Sequence, residues 1–288
     1  MLTLVSSNPA RPALRPMPRR MAAPSPVAGW RLPADGRGEL GIARRIQRSL
    51  LPALEPLFHG YRVAADYRPA SDIGGDFYDV VASGPGEVTV VIGDVSGKGV
   101  SGALVMSHLA SDIRRLARTA SSPRALIHEL NQIVASLQLD DMFVTCVCIR
   151  LDGPRGRVTV CNAGHVLPLL RSAGGEVMPV GAGGGLPLGI DADQVYLDDC
   201  YPLGLGDLVI SMTDGVTEAL HSDADPLGGD ALERLIAAAP SDGLEINRRI
   251  LAAVAQTNEA QRGDDVTLLT LELTAGACSA GPRLRSMA

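Results

Sequence analysis

Strand-like and helix-like segments fall into separate blocks along this 288-residue chain, and that order restricts the folds it can adopt. Three strand-like runs precede two adjacent amphipathic helices, and a second block of strands precedes a second block of helices. One last strand-like run, at residues 266–273, closes the pattern. Because single strands do not alternate with single helices, a Rossmann fold or a β/α barrel is disfavoured. The order predicts an α+β fold with two mainly antiparallel sheets flanked by helices.

The boundaries of these segments follow from hydrophobic periodicity and from the positions of glycine and proline. Apolar runs bounded by turn residues predict strands, and apolar residues at helical spacing predict helices. The predicted strands are residues 61–67, 77–81, 87–92, 143–151, 157–162, 168–171, 195–201, 207–212 and 266–273. The predicted helices are residues 39–51, 101–117, 123–137, 215–220, 231–238 and 244–256.

Composition divides the chain into four regions. Residues 1–36 are rich in Arg, Pro, Ala and Ser without a hydrophobic period, which predicts a disordered tail. Residues 37–52 contain one amphipathic helix that ends at Pro52, and we interpret them as a linker. Residues 53–274 hold all the predicted strands and form the folded domain. Residues 275–288 are predicted to be a loose C-terminal tail.

The overall composition argues against several functions. Apolar residues make up 46% of the chain, which is enough for a substantial core, but aromatic residues make up only 3%. Few aromatics and a net charge of −6 disfavour nucleic-acid binding. The five cysteines show no metal-binding or CxxC spacing and are predicted to be reduced thiols. With no signal peptide and no apolar run long enough for a transmembrane segment, we expect a cytoplasmic protein.

Carboxylates at the ends of strand-like runs are the main chemical feature of the sequence. They are costly to bury unless they are neutralised, and a converging group of them suits hard divalent cations. Glycines after the strand at 87–92 would also let the Val95 carbonyl approach such a cation. A single aspartate beside glycine is more often a turn residue or a helix N-cap. Together, however, four of them predict the catalytic and metal-binding residues of a metal-dependent hydrolase: Asp76, Asp94, Asp214 and Asp264.

Five further residues near these aspartates are candidates for supporting roles, and three of them have two open interpretations. Lys98 would contact the substrate or be a solvated loop residue. His165 would contact substrate and donate a proton, or serve a structural role. Glu218 would orient the aspartate one helical turn before it or lie on the surface. Asp79 and Asp265 would support the metal ligands without binding metal themselves.

Six short motifs in this order resemble the sporulation stage II E-type branch of the PPM (protein phosphatase 2C-like) serine/threonine phosphatases. The resemblance covers roughly residues 39–273, and it rests on all six motifs together because each one alone is weak. The motifs lie at residues 73–80, 93–99, 162–165, 186–189, 213–219 and 264–267.

The resemblance implies a four-layer α-β-β-α sandwich with two Mn²⁺ or Mg²⁺ ions at one end of the sheets. Asp76 and Asp94 would serve the paired-metal centre, with Asp94 bridging the ions and the Val95 carbonyl completing one shell. Asp214 and Asp264 would hold the second side. Water activated by the two metals would hydrolyse phosphoserine or phosphothreonine. No motif aspartate is replaced in this chain.

The resemblance also implies partners. The substrate in this branch is commonly a phosphorylated STAS-domain anti-sigma-factor antagonist, which places the enzyme in sigma-factor partner switching. The helix at 39–51 resembles a regulatory linker, and we hypothesise that it pairs between two copies in a homodimer. Two alternatives remain: a non-catalytic regulator that binds phosphoproteins or anti-sigma factors, and a two-metal phosphoesterase acting on small molecules.

Overall fold

Two antiparallel sheets form the centre of the molecule in the computed structural model, which describes residues 38–97, 99–139, 141–220, 229–257 and 263–278. The first sheet contains, in spatial order, β1 (Leu57–Phe58), β2 (Tyr61–Arg68), β11 (Val266–Leu273), β10 (Leu208–Met212), β7 (Leu169–Arg171) and β8 (Val177–Pro179). The second contains β3 (Phe77–Gly84), β4 (Glu87–Val95), β5 (Val144–Asp152), β6 (Arg157–Ala163) and β9 (Asp199–Pro202).

Helices pack around the two sheets, and most of them cover the outer faces. They are α1 (Glu39–Leu50), α2 (Val100–Thr119), α3 (Pro123–Ser136), α4 (Asp214–Leu220), α5 (Gly229–Ala237), α6 (Gly243–Gln256) and the short α7 (Ala275–Cys278). One apolar core lies between the sheets, where Val90 and Ile149 are packed with Val209 and Leu271. A second core joins the second sheet to α2 and α3, and a third joins the first sheet to α4, α5 and α6. The predicted α-β-β-α sandwich is therefore confirmed.

Alternation along each strand explains this layering. In β4, for example, Val90 and Ile92 contribute to the core between the sheets, whereas Val91 contributes to the core against the helices. Side chains of a strand point alternately to its two faces, so a continuous apolar run has both faces buried. This is why residues 88–92 are apolar except for Thr89, which is itself buried.

Several segments differ from the sequence prediction. Residues 195–197 were predicted to begin a strand, but strand pairing starts only at Asp199, and Val195 is 74% exposed. The preceding residues are instead fastened to α3, where Asn131 and Gln132 donate side-chain hydrogen bonds to the carbonyl of Ala192. The short strands β1 and β8 were not predicted. The start of the predicted tail forms α7, and its Ala277 is fully buried.

Strand direction brings four chain segments to one end of the sandwich. In the second sheet β3 begins where its antiparallel neighbour β4 ends, and Phe77 is paired with Gly93. In the first sheet β11 begins where β10 ends, and Met212 is paired with Leu268. The residues just outside these four strand ends therefore lie together, and they carry the predicted aspartates. Among the described residues, no helix is long and apolar enough to cross a bilayer.

Candidate active site

Asp76 is the most deeply buried carboxylate at this end of the sandwich, with 1% of its surface exposed. It precedes β3 in the second sheet, but its partners belong to the first sheet. The hydroxyls of Thr213 and Thr267 both donate to Asp76 Oδ2, at 2.7 Å and 2.5 Å. Asp76 Oδ1 is buried and has no hydrogen-bond partner among the described residues. One oxygen is thus fully used by the protein and the other is available to a ligand.

Asp94 lies beside Asp76, near the end of β4, and the pKa of Asp76 is raised first by burial and then by repulsion between the two carboxylates. A proton or a cation between two carboxylates this close would relieve their repulsion. Gly75 leaves the necessary space. A Cβ atom there would lie 2.8 Å from the Val95 carbonyl oxygen and 2.9 Å from Asp94 Oδ1. The Val95 carbonyl and the Asp94 carboxylate therefore face the same glycine-lined space.

Asp214 and Asp264 approach from the first sheet. Asp214 is the first residue of α4, two residues after the end of β10, and Asp264 lies two residues before β11. Both side chains are partly buried, and both are close enough to Asp94 to disfavour its ionisation. Glu218 lies one turn further along α4, is exposed, and exerts the same effect on Asp214. The structure therefore brings all four predicted aspartates together.

Electrostatics within this cluster favour the protonated carboxyl groups. Burial, followed by repulsion from Asp94 and Asp265, raises the pKa of Asp76 well above its ordinary value. Burial, followed by repulsion from Asp214 and Asp264, raises the pKa of Asp94 to about 7. The pKa of Asp214 is also raised, first by burial and then by Asp264. Positive charge from elsewhere would therefore favour the ionised forms of Asp76, Asp94 and Asp214.

Asp265 organises the loop that carries Asp76. Its Oδ1 accepts from the Ala70 backbone N–H at 2.7 Å, and its Oδ2 accepts from the Gly75 N–H at 2.8 Å. Burial raises the pKa of Asp265, whereas these backbone bonds lower it. Both of its oxygens are occupied by the loop, which is the arrangement expected of a residue that positions ligands. The metal-supporting role predicted for it stays a prediction.

Asp79 and His165 have structural partners. Asp79 accepts a hydrogen bond from the Arg114 guanidinium on α2 at 2.8 Å, so it joins β3 to a helix. His165 is only 7% exposed, and its Nδ1 lies 2.9 Å from the Thr145 hydroxyl. Burial lowers the pKa of His165 to about 4, an effect that the Met212 carbonyl partly opposes. A neutral, enclosed imidazole favours the structural interpretation over a substrate contact. Lys98 lies outside the described residues.

The residues at this end of the sandwich fit divalent cations in three respects. The donors are all oxygens, which Mg²⁺ and Mn²⁺ prefer. Asp76 provides a buried oxygen without a partner, and Gly75 leaves room beside Asp94 and Val95. Among the described residues, however, no three His, Cys, Asp or Glu side chains enclose one ion position. Bound cations would offset the mutual repulsion of these carboxylates.

Gln47 of α1 also contacts this region, although its role was not predicted. Its Nε2 donates to the Gly74 carbonyl at 2.6 Å, and its Oε1 accepts from the Gly74 N–H at 3.2 Å. The Tyr67 hydroxyl donates to the same Oε1 at 3.3 Å. Gly74 is two residues before Asp76, so α1 is fastened directly to the loop of the site. The sequence feature that could have indicated this contact is a polar residue beside the apolar face of an amphipathic helix.

Thr213 and Thr267 are the other site residues that lacked a predicted role. Both occur in the motifs, and each lies one to three residues from a predicted ligand. Nothing in the sequence indicates that their hydroxyls meet on the same oxygen of Asp76.

Comparisons with known proteins agree on one group of relatives. The sequence matches the family described as stage II sporulation protein E (SpoIIE) over residues 84–274. It is 28% identical to the phosphoserine phosphatase RsbU of Bacillus subtilis over 236 residues, which are 82% of this chain and 70% of that protein.

Solved structures show the same fold. The SiaA-PP2C domain of Pseudomonas aeruginosa is similar with a TM-score of 0.70 and 22% identity, over 81% of this chain and 95% of that one. The RsbU and RsbW domains of a Mycobacterium tuberculosis protein give a TM-score of 0.65 and 27% identity, over 75% of this chain and 60% of that one.

Proposed function

Because the chain belongs to the stage II sporulation protein E family of PPM-type serine/threonine phosphatases, we propose that it removes phosphate from phosphoserine or phosphothreonine in a partner protein. The observation that carries this proposal is the position of Asp76. Its buried carboxylate stands between the two sheets, beside Asp94, with one oxygen free. Such a carboxylate is costly to bury unless it binds a cation.

Two Mn²⁺ or Mg²⁺ ions would be held by Asp76, Asp94, the Val95 carbonyl, Asp214 and Asp264. When bound, such ions act as Lewis acids toward the phosphoryl group and lower the pKa of water. The chain's own contribution is to orient the carboxylates, through threonine hydroxyls and through the backbone bonds of Asp265.

A covalent phosphoenzyme is not required, and the buried Cys146, Cys148 and His165 are poorly suited to form one. Cys146 and Cys148 are completely buried, and burial raises the pKa of both thiols. His165 is enclosed and uncharged near neutral pH. Direct attack of water on phosphorus is therefore the reaction that these residues favour.

We assign the substrate to the class of phosphorylated STAS-domain anti-sigma-factor antagonists, in a sigma-factor partner-switching pathway in the cytoplasm. The similarity to the phosphoserine phosphatase RsbU supports this assignment. Dephosphorylation would let such an antagonist capture its anti-sigma factor.

The function is tested by comparing substrates. We expect the full chain with Mn²⁺ to hydrolyse a phosphoserine STAS-domain protein and an aryl phosphate, and to turn over free phosphometabolites much more slowly. EDTA should stop the reaction. Turnover confined to metabolites would indicate a small-molecule phosphoesterase. Binding of the phosphoprotein without any turnover would indicate a non-catalytic regulator.

Helix α1 is the proposed regulatory element, and its exposed side supports pairing between two copies. Ile42 and Ile46 lie one turn apart, and Ile46 is 57% exposed. Leu104 on the neighbouring helix α2 is also exposed. The opposite side of α1 holds Gln47, which contacts the loop of the site. Pairing of α1 would therefore act on the same helix that fastens this loop.

We expect a truncated chain that begins at Leu57 to lose both self-association and most of its phosphatase activity. Gln47→Ala should lower activity but leave association intact, because Gln47 faces Gly74 and not the exposed side of the helix. Ser49→Ala is the matched control, since its hydroxyl bonds only to the Ile46 carbonyl within α1. Sedimentation and Mn²⁺-dependent turnover are the measurements. Full activity and unchanged oligomeric state in the truncated chain would exclude this role for α1.

A further inference from the structure

We propose that Thr213 and Thr267 determine which cation the site accepts, because they leave Asp76 only one oxygen for coordination. This inference rests on the proposed function, since it requires Asp76 to be a metal ligand. It concerns a specificity role for two residues that do not themselves touch the metal.

The two hydroxyls are oriented toward a single acceptor. Each threonine hydroxyl has one hydrogen to donate, and both donate to Asp76 Oδ2. The Thr213 hydroxyl also accepts a hydrogen bond from the Thr267 backbone N–H at 3.0 Å, which directs its own hydrogen away from that amide. Both threonines have no exposed surface, so water does not compete for these bonds. Oδ2 therefore already accepts two strong hydrogen bonds.

The strand pairing makes this arrangement rigid. Thr267 is the second residue of β11, Thr213 directly follows β10, and the Thr213 N–H donates to the Thr267 carbonyl at 3.1 Å. The two side chains are thus held by neighbouring strands of one sheet, whereas Asp76 comes from the other sheet. Rotation of the carboxylate to offer both oxygens would break two buried hydrogen bonds, and each unsatisfied group is costly.

One available oxygen favours some cations over others. Ca²⁺ takes six to eight oxygen ligands and often binds a carboxylate through both oxygens, whereas Mg²⁺ requires near-octahedral geometry with single oxygens. A carboxylate restricted to Oδ1 contributes one ligand at most. The threonine pair should therefore favour Mg²⁺ and Mn²⁺ and disfavour Ca²⁺.

The test measures dissociation constants for Mn²⁺ and Ca²⁺ by calorimetry on the full, metal-free chain. Thr213→Val and Thr267→Val remove the hydroxyls with little change of shape. We expect each to weaken Mn²⁺ binding by roughly 10–100-fold, as is usual when a group that supports a ligand is lost. The preference for Mn²⁺ over Ca²⁺ should fall as well. Thr213→Ser and Thr267→Ser keep the hydroxyl and should retain the wild-type preference.

Thr270→Val is the matched control. Thr270 is also buried on β11, but its hydroxyl donates to Asn247 of α6 on the outer side of the sheet. It should change stability without changing the ratio of the two dissociation constants. If the valine variants do not fold, the corresponding alanine variants are measured instead, with the same expected result.

The outcomes separate this inference from the proposed function. Wild-type chain that takes up neither ion and has no phosphatase activity would overturn the proposed function. The inference alone would be overturned by a different result. In that case the wild-type chain binds Mn²⁺, and the folded valine or alanine variants keep both its Mn²⁺ affinity and its ratio of Mn²⁺ to Ca²⁺ dissociation constants.

Discussion

Asp94→Asn should reduce Mn²⁺-dependent phosphatase activity by more than about 100-fold, since losing a residue that only supports a ligand already costs roughly 10–100-fold. The substitution replaces one carboxylate oxygen by an amide nitrogen at the centre of the cluster, where Asp94 adjoins Asp76, Asp214 and Asp264. An amide cannot neutralise a cation, and its NH₂ group cannot act as a ligand. Initial rates on a phosphoserine protein at saturating Mn²⁺ are the measurement.

The same variant should not destabilise the metal-free protein at neutral pH. Asp94 is held among like charges, so removing its ability to ionise relieves repulsion. The matched control is Asp242→Asn, which alters the N-cap of α6 far along the chain and retains a good capping side chain. Activity of Asp94→Asn close to that of this control would show that Asp94 is not a metal ligand.

Without metal, the contribution of Asp94 and Asp76 to stability should fall as pH rises from about 4 to about 7. In the native state the pKa of Asp94 is raised to about 7 and that of Asp76 is raised as well, whereas an unfolded aspartate titrates near 3.9. Between these values the native state binds more protons than the unfolded state, so raising the pH favours unfolding. Above about pH 7 this contribution of Asp94 is fully lost. Thermal unfolding in EDTA across this range measures the effect.

Added Mn²⁺ should reverse this trend, because it binds the ionised carboxylates and releases their protons. At free Mn²⁺ about 100-fold above its dissociation constant, binding contributes about 2.7 kcal/mol. The rise in melting temperature on adding Mn²⁺ should therefore be larger at pH 8 than at pH 5.5. Asp94→Asn should flatten the dependence measured in EDTA. A pH dependence in EDTA that is the same for Asp94→Asn and for the wild-type chain would contradict the raised pKa of Asp94.

Most elements could be predicted from the sequence because their signals are local. The strand at 266–273 was predicted with its observed bounds, since a run rich in Val, Leu and Thr follows the turn at Gly263. Helix α3 was predicted within one residue, since Pro123 favours a first turn and Ser122 caps it. The strand predicted from residue 195 was wrong at its start, because no neighbouring strand pairs with residues 195–197.

The sequence by itself determined which residues end strands, and hence which carboxylates were available for a site, because periodicity and turn chemistry act over a few residues. Only the tertiary structure decided how they are oriented. Asp76 meets Thr213 and Thr267 across separations of 137 and 191 residues, and Gln47 meets Gly74 across 27. Such contacts depend on how two sheets and a helix pack against each other. A threonine whose hydroxyl bonds to a distant carboxylate can have the same neighbours in sequence as a threonine whose hydroxyl faces water.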